Sequence, residues 1–406
     1  MGNWKKVLVR AGLEGGGERM SIAIVDDNPV NLIVIEKILK SAGYSSFWKA
    51  ESAMELLERL AEEARELSGR TPVDLILMDM MMPGIDGIEA CRRLQQDERL
   101  RDIPVIIVTA LGDSNKLAEA LEAGASDYVT KPVNKIELIA RIRAALRLKY
   151  EKDWHKENEA RIRRELELAR QVQTSVLSLP VEREGLRIRA AYYPSFELAG
   201  DMYAWHRIDD RRHGVILLDM MGHGISSSLV CMFIASVLQD TITRFVSPEF
   251  VIAELNRHMN QLNGNKASVE YYFTAIYLVI DTDSRTIEYV NAGHPPGFLF
   301  EEGKPAVRLE QGSCAVGFFD QMEIVKGTAA YERPIRIMLY TDGLPEAVLA
   351  QGDAGEEADE TELWQALLAE ALQPGMEPHR IVRTLLPDKA PESQTDDICL
   401  VLIEAE

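Results

Sequence analysis

At 406 residues the chain is too long for one ordinary domain, and 46% apolar residues suffice for more than one core. Acidic residues number 65 against 45 basic ones, and the net charge of −20 argues against a sequence-independent grip on nucleic acid. Cys91, Cys231, Cys314 and Cys399 show no paired or metal-type spacing, which excludes a disulfide framework and points to reduced thiols in a cytoplasmic protein.

Residues 1–19 read as a disordered leader, Gly/Glu-rich from Gly12 to Arg19, and Met20, where an apolar pattern begins, is the expected natural start. Strand-like and helix-like segments then alternate. Ser21–Val25 is a strand, Val30–Ser41 a helix ending at Gly43, Leu75–Met78 a buried strand and Gly87–Leu94 a helix. Val105–Thr109 is a strand, Asn115–Glu122 a helix ended by Gly124, Tyr128–Val129 a short strand and Ile136–Leu148 a closing helix. Such alternation predicts a doubly wound α/β domain over 20–140, with a parallel sheet and helices on both faces.

From Arg141 to about Leu179 there is no Gly or Pro, and Lys, Arg, Glu and Gln are dense. This 141–180 linker reads as one long helix or two abutting ones. The apolar stripe Ile162, Leu166, Ala169, Val172, Val176 suits a coiled-coil-like seam, with a second copy or a neighbouring domain as its partner. Pro180 opens the second domain, 181–406. Its expected strands are Leu186–Tyr193, Gly214–Asp219, Phe273–Asp281, Thr286–Asn291, Arg336–Thr341 and Asp397–Ile403. Helices are expected at Ser226–Ile242, Pro248–Leu262 and Glu362–Leu372, and an acidic loop at Gly352–Glu362. Strands outnumber helices, which predicts a mostly antiparallel sheet core covered by helices. Apolar stretches such as Tyr271–Ile280 fall short of a membrane span, and neither a signal peptide nor a membrane partner is expected.

The first chemical cluster lies at the carboxyl ends of the parallel strands, where such sheets bind ligands. Asp26 and Asp27 follow the first strand, Asp79 follows Leu75–Met78, Thr109 ends another strand and Lys131 precedes Pro132. Carboxylates gathered there need a cation, and a lysine could neutralise a phosphoryl group. The acidic pair, Asp79 with Pro83 four residues on and then Asp86-Gly87, Thr109-Ala110 and Lys131-Pro132 occur in the order of a response-regulator receiver domain, which the segment resembles. The resemblance implies a five-stranded fold with Asp79 as phosphoacceptor. Asp26, Asp27, Asp79 and the Met81 carbonyl would hold Mg²⁺, with Thr109 as switch hydroxyl, Lys131 as phosphate-pairing cation and Tyr128 as switch aromatic. A histidine kinase is the implied partner.

The second cluster draws on distant segments: Ala199-Gly200-Asp201, Asp219-Met220-Met221-Gly222-His223-Gly224, Tyr340-Thr341-Asp342-Gly343 and Asp396-Asp397. Aspartates at the edges of apolar runs are costly unless a cation compensates. Oxygen-only ligation points to Mg²⁺ or Mn²⁺, and a pair of such ions serves phosphate ester hydrolysis. Together with Asn291-Ala292-Gly293-His294-Pro295-Pro296, these motifs resemble the metal-dependent serine/threonine protein phosphatase (PPM) family, in its bacterial stress and sporulation branch. The resemblance implies a β-sandwich flanked by helices and two Mg²⁺ or Mn²⁺ ions. Asp201, Asp219, the Met220 carbonyl, Asp342 and Asp396 would hold the ions, with Asp397 beside them. Ala204 stands where that family usually has a further acid, three positions after Asp201. His223 and His294 read as hydrogen-bonding residues beside Gly turns, and the helix Leu229–Leu238 as core.

The expected whole is a response regulator whose phosphorylation at Asp79 controls a phosphoserine/phosphothreonine protein phosphatase acting on an anti-anti-sigma-type protein. A homodimer through the linker helix is expected. The rival is a non-catalytic adaptor that binds a sigma factor or its regulator under receiver control, a reading that the acid set disfavours.

Overall fold

The computed structural model describes residues 20–66, 72–110, 114–264, 270–350, 375–387 and 394–406. The leader, the acidic loop at 352–362 and the helix expected at 362–372 lie outside the described residues. The chain divides between Arg161 and Ile162 into two compact units.

In the first unit five parallel strands stand in the order β2-β1-β3-β4-β5: β1 Ser21–Val25, β2 Ser46–Ala50, β3 Leu75–Asp79, β4 Val105–Ala110 and β5 Asp127–Lys131. Helices α1 Pro29–Ser41, α2 Ala53–Glu66, α3 Gly87–Gln96 and α4 Ser114–Glu122 separate them. Burial on both faces explains the unbroken apolar run of β3. One face meets Leu56, Leu60, Ile88 and Leu94, and the other meets Leu32, Ile35, Leu39, Leu138 and Ile142. The helices start where side chains cap them. Asn28 Oδ1 accepts from Val30 N at 3.0 Å with Pro29 in the first turn, and Asp86 Oδ1 accepts from Glu89 N at 2.8 Å. β2 and α2 escaped the sequence reading. β2 is an edge strand in which only Ala50 is buried, so its residues lack an inward apolar pattern.

The expected closing helix and linker are one element, α5 Lys135–Ser175, of 41 residues. Its start is capped by Asn134, whose Oδ1 accepts from Ile136 N at 2.9 Å. Leu138, Ile139, Ile142, Ala145 and Leu146 bury its first turns. Farther along, Lys152 and Lys156 pair with Asp102 at 2.6 and 3.3 Å. Of the expected seam, Ile162, Val172 and Val176 are exposed.

The second unit is two sheets face to face, almost wholly antiparallel. One has the order β14-β11-β10-β9-β8, with β15 also paired to β11, and the other β13-β12-β16-β17-β7-β6. The first comprises β8 Met202–Arg207, β9 Arg212–Met220, β10 Phe273–Asp281, β11 Thr286–Ala292, β14 Gly312–Ser313 and β15 Gly327–Ala330. The second comprises β6 Val181–Arg183, β7 Leu186–Tyr193, β12 Gly297–Glu301, β13 Val307–Leu309, β16 Ile335–Tyr340 and β17 Ile398–Ala405. Alternate residues of both sheets, among them Leu217, Ile276, Leu278, Ile337, Leu339 and Val401, make the core between them. Helices α6 Ile225–Phe245 and α7 Pro248–Asn263 cover the outer face of the first sheet, and α8 Gly343–Leu349 and α9 Pro378–Leu385 that of the second.

Contrary to the expectation that no stretch approaches membrane length, α6 has the length and composition to cross one. Its residues Val230, Cys231, Ile234, Leu238 and Ile242 instead pack against Ile216, Leu218 and Leu255. Each such buried aliphatic side chain contributes about 1.5–3 kcal/mol to that core.

Candidate active site and receiver pocket

In the first unit the carboxyl ends of β1 and β3 bring Asp26, Asp27 and Asp79 together, with one carboxylate oxygen of each within 4.8 Å of the others. Asp26 is held from the α1 side, where Asn28 N and Asn31 Nδ2 donate to its Oδ1 at 2.9 and 3.0 Å. From the end of β5, Lys131 Nζ lies 2.5 Å from Asp79 Oδ1 and 3.0 Å from Asp26 Oδ2. Burial pushes the Asp79 carboxyl up, and Asp26 and Asp27 add to this against the pull of Lys131. For the Lys131 ammonium burial acts downward, but the two carboxylates outweigh it and its pKa is raised. Three converging hard oxygens with surplus negative charge fit a single small divalent cation.

Thr109, buried at the end of β4, donates to Ala110 O at 3.1 Å and lies 3.3 Å from Met80 Sδ. Tyr128 on β5 is half-buried, and the Arg141 guanidinium stands 5.5 Å from its ring centre. The Met81 side chain is exposed. Asp86 of the same motif is the cap of α3.

The second unit gathers its acids at one end of the sandwich. Asp201 stands in the turn before β8, Asp219 near the end of β9, Asp342 at the start of α8 and Asp396 just before β17. The Asp219 carboxyl contacts those of Asp201 and Asp342, and burial followed by Asp342 and Asp396 pushes it up to about 8. Burial, then Asp219 and Asp397, raises Asp201 well above the carboxylate range, although the Thr341 hydroxyl bonds to it. Asp396 is raised by burial, Asp342 and Asp397. Asp201 Oδ2 is buried without a hydrogen-bond partner. Crowded acids that raise one another, one of them with an orphaned buried oxygen, fit divalent cations as the missing partners. Among the described residues only the receiver acids converge within 4.8 Å as a set of three. The second set neighbours in pairs, Asp219 with Asp201 and with Asp342.

Backbone geometry completes this end. A Cβ on Gly200 would stand 3.2 Å from Met220 O and 3.0 Å from Gly222 O, so two carbonyl oxygens face the Asp201 turn. A Cβ on Gly343 would come within 2.1 Å of Asp397 O, so only glycine lets α8 start against β17.

Asp397, grouped with the ligands from the sequence, turns its carboxylate elsewhere. Its Oδ1 accepts from Ser195 N at 2.8 Å and Ser195 Oγ at 3.0 Å, and its Oδ2 from Gly200 N at 2.7 Å. Asp397 therefore fixes the turn that carries Asp201. Ala204 is buried on β8 in the core beneath α6, so an acid there would meet apolar side chains. His294 is buried, lies 2.9 Å from Thr274 Oγ1 through Nδ1, and is pulled down to about 3 by burial, which keeps it neutral. His223 stacks on Phe196, ring centres 4.7 Å apart, and stands near enough to Asp396 to oppose slightly the upward push on that carboxyl. Thr341 and Ser195 were missed in the sequence. Only the adjacency of Thr341 to Asp342 could have flagged the first.

Comparisons with known proteins follow this division. The profile of the response regulator receiver domain matches residues 22–143, and that of Stage II sporulation protein E (SpoIIE) matches residues 209–406. Phosphoserine phosphatase RsbP of Bacillus subtilis is 36% identical over 246 residues, 60% of this chain and 58% of that protein. Response regulator PleD of Caulobacter vibrioides is 38% identical over 143 residues, 35% of this chain and 30% of that protein. The chain thus spans less than two thirds of either relative. The SiaA-PP2C domain of Pseudomonas aeruginosa superposes with a TM-score of 0.51 at 19% identity, covering 61% of this chain and 99% of that one, a likeness of fold. The first unit therefore carries a response regulator receiver domain and the second a SpoIIE-type domain of the PPM phosphatase kind.

Proposed function

We propose that the protein is a two-component response regulator with a metal-dependent phosphoserine/phosphothreonine protein phosphatase as its output. A histidine kinase would phosphorylate Asp79. One Asp79 oxygen attacks the phosphohistidine phosphorus, the N–P bond breaks, and the imidazole leaves as the O–P bond forms. Lys131, already between Asp79 and Asp26, pairs with the incoming phosphoryl charge. Asp26, Asp27, Asp79 and the Met81 carbonyl would hold Mg²⁺, which would supply the charge neutralisation that lets two anions meet. Thr109 and Tyr128 would then change position as the switch pair.

In the second unit Asp201, Asp219, Asp342 and Asp396, with the Met220 carbonyl, would hold two Mg²⁺ or Mn²⁺ ions. Such ions lower the pKa of water and neutralise phosphoryl oxygens. Asp397 and Thr341 keep the Asp201 turn and its carboxylate in place. Hydrolysis forms one O–P bond from water and breaks that of the ester, and the seryl oxygen leaves with a proton. The observation that carries this reading is the set of mutually raised acids with the orphaned Asp201 oxygen.

An anti-anti-sigma-type phosphoprotein is the substrate we favour, supported by the resemblance to the stress and sporulation branch and by the relative named a phosphoserine phosphatase. The domain order supports receiver control through α5, and the exposed Ile162, Val172 and Val176 support pairing with a second copy. The deciding experiment is hydrolysis of phosphoseryl substrate with and without beryllofluoride on the receiver. Wild type should change rate and Asp79→Ala should not. Equal wild-type rates in both states would remove receiver control.

A further inference from the structure

The turn that carries Asp201 is held by a side chain of the connector helix. Gln173 Nε2 donates to Ala199 O at 2.7 Å, and Ala199 N donates to Gln173 Oε1 at 3.1 Å. One amide thus takes both backbone groups of the residue two before Asp201. Gly200 N, between them, is bonded to Asp397. The pattern repeats on the other side of Asp201. Trp205 N donates to Ser178 Oγ at 2.9 Å, Ser178 Oγ donates to Trp205 O at 3.1 Å, and Trp205 Nε1 donates to Leu179 O at 2.8 Å. The end of α5 and the residues after it therefore grip both flanks of the Asp201 turn.

Gln173 is buried although Gln171, Val172, Thr174 and Ser175 around it are exposed. Leu177, one helical turn on, packs into the core that contains Met202 and Ala204. An apolar side chain at 173 would serve mere packing, and burying an amide is costly unless its groups are used. Here they are used on Ala199.

We propose that Gln173 is a positioning residue of the phosphatase metal centre: by bracketing Ala199 it sets where Asp201 stands, so the connector helix sets the cation affinity of that centre. This rests on the reading of Asp201 as a metal ligand. Two rigid links, Gln173 to Ala199 and Asp397 to Gly200, leave the Asp201 backbone little freedom. Loss of the first frees the turn on its helix side and lets Asp201 leave the place where an ion would meet Asp219.

The test uses the full chain with Gln173→Met, which keeps length and helix propensity but removes both hydrogen bonds. Gln173→Glu, which sets a carboxylate oxygen against Ala199 O, is the second variant, and Gln171→Ala on the exposed face is the control. Calorimetry reads Mn²⁺ uptake, and p-nitrophenyl phosphate hydrolysis is followed against Mn²⁺ concentration. Both Gln173 variants should bind Mn²⁺ at the phosphatase centre roughly 10–100-fold more weakly, the range for loss of a residue that orients a ligand, and keep their kcat once Mn²⁺ saturates. Gln171→Ala should match wild type. Folded Gln173 variants with wild-type Mn²⁺ affinity overturn the proposal. Failure of both variants to fold, seen as loss of cooperative unfolding, also overturns it, since Gln173 then serves the domain as a whole. If wild type itself takes up no Mn²⁺ at this centre, the metal reading falls, an outcome distinct from a variant-specific difference.

Discussion

Protons and divalent cations should compete for the second acid cluster, with a size set by the Asp219 pKa. Burial and its acidic neighbours push that carboxyl from 3.8 up to about 8. It is then half protonated at pH 8 and almost fully protonated at pH 6, so Mg²⁺ affinity should fall about fiftyfold across that interval from this group alone. Asp201 is shifted in the same direction and adds to the effect. Above its unfolded pKa of 3.8, a group raised when folded retains a proton that the unfolded chain has released. The cation-free domain therefore gains stability as pH falls from above 8 toward 6 and loses it as pH rises. Bound Mg²⁺ displaces that proton and should flatten the slope, so its stabilisation is greatest at high pH. The assay is calorimetric Mg²⁺ titration at pH 6, 7 and 8 in an Asp27→Asn, Asp79→Asn chain, which silences the receiver pocket. Buffers of different ionisation enthalpy report the released protons. Affinity independent of pH, with no proton release, would refute the picture of mutually raised acids awaiting a cation.

Three further outcomes are expected. Asp397→Ala strips the acceptor from Ser195 N and Gly200 N and should destabilise the second domain by roughly 2–4 kcal/mol, read from urea midpoints, since buried donors left unmet cost about 1–3 kcal/mol each. Gly343→Ala sets a Cβ 2.1 Å from Asp397 O, forces β17 and α8 apart, and should cost at least about 3 kcal/mol by the same measurement. Lys131→Met leaves Asp26 and Asp79 without their ammonium partner, so receiver Mg²⁺ affinity should rise while beryllofluoride binding weakens about tenfold or more.

Much of this was legible because chemistry and pattern coincide at strand ends. The apolar runs of β1, β3 and β4 stop at Asp26, Asp79 and Thr109, so the strand boundaries and the pocket are read together. β9 likewise ends at Asp219-Met220 and leads to the Gly222 and Gly224 turn, both at positive φ. Elements that escaped are those whose apolar signal is weak. β2 is an edge strand, β8 sets half-buried Tyr203 and His206 among buried Met202, Ala204 and Trp205, and β13 to β15 are short. The role of Asp397 was hidden because it depends on where Gly200 N lies, 197 residues away in sequence. The contact of Gln173 was hidden, since a glutamine within a charged helix looks solvated until the fold brings Ala199 to it. The single helix α5 crosses the boundary drawn at 140 because its apolar first turns pack into the receiver, while Ile162, Val172 and Val176 of its later apolar stripe are exposed.

If the acids of the second unit hold divalent cations for phosphate ester hydrolysis, turnover must depend on both the metal and Asp219. The most direct test is the rate of Mn²⁺-dependent hydrolysis of a phosphoserine peptide by wild type and by Asp219→Ala. Wild-type turnover should be abolished by EDTA and should fall about a thousandfold or more in the variant. Turnover that persists in the variant, or a wild type inert at every Mn²⁺ concentration, would contradict it.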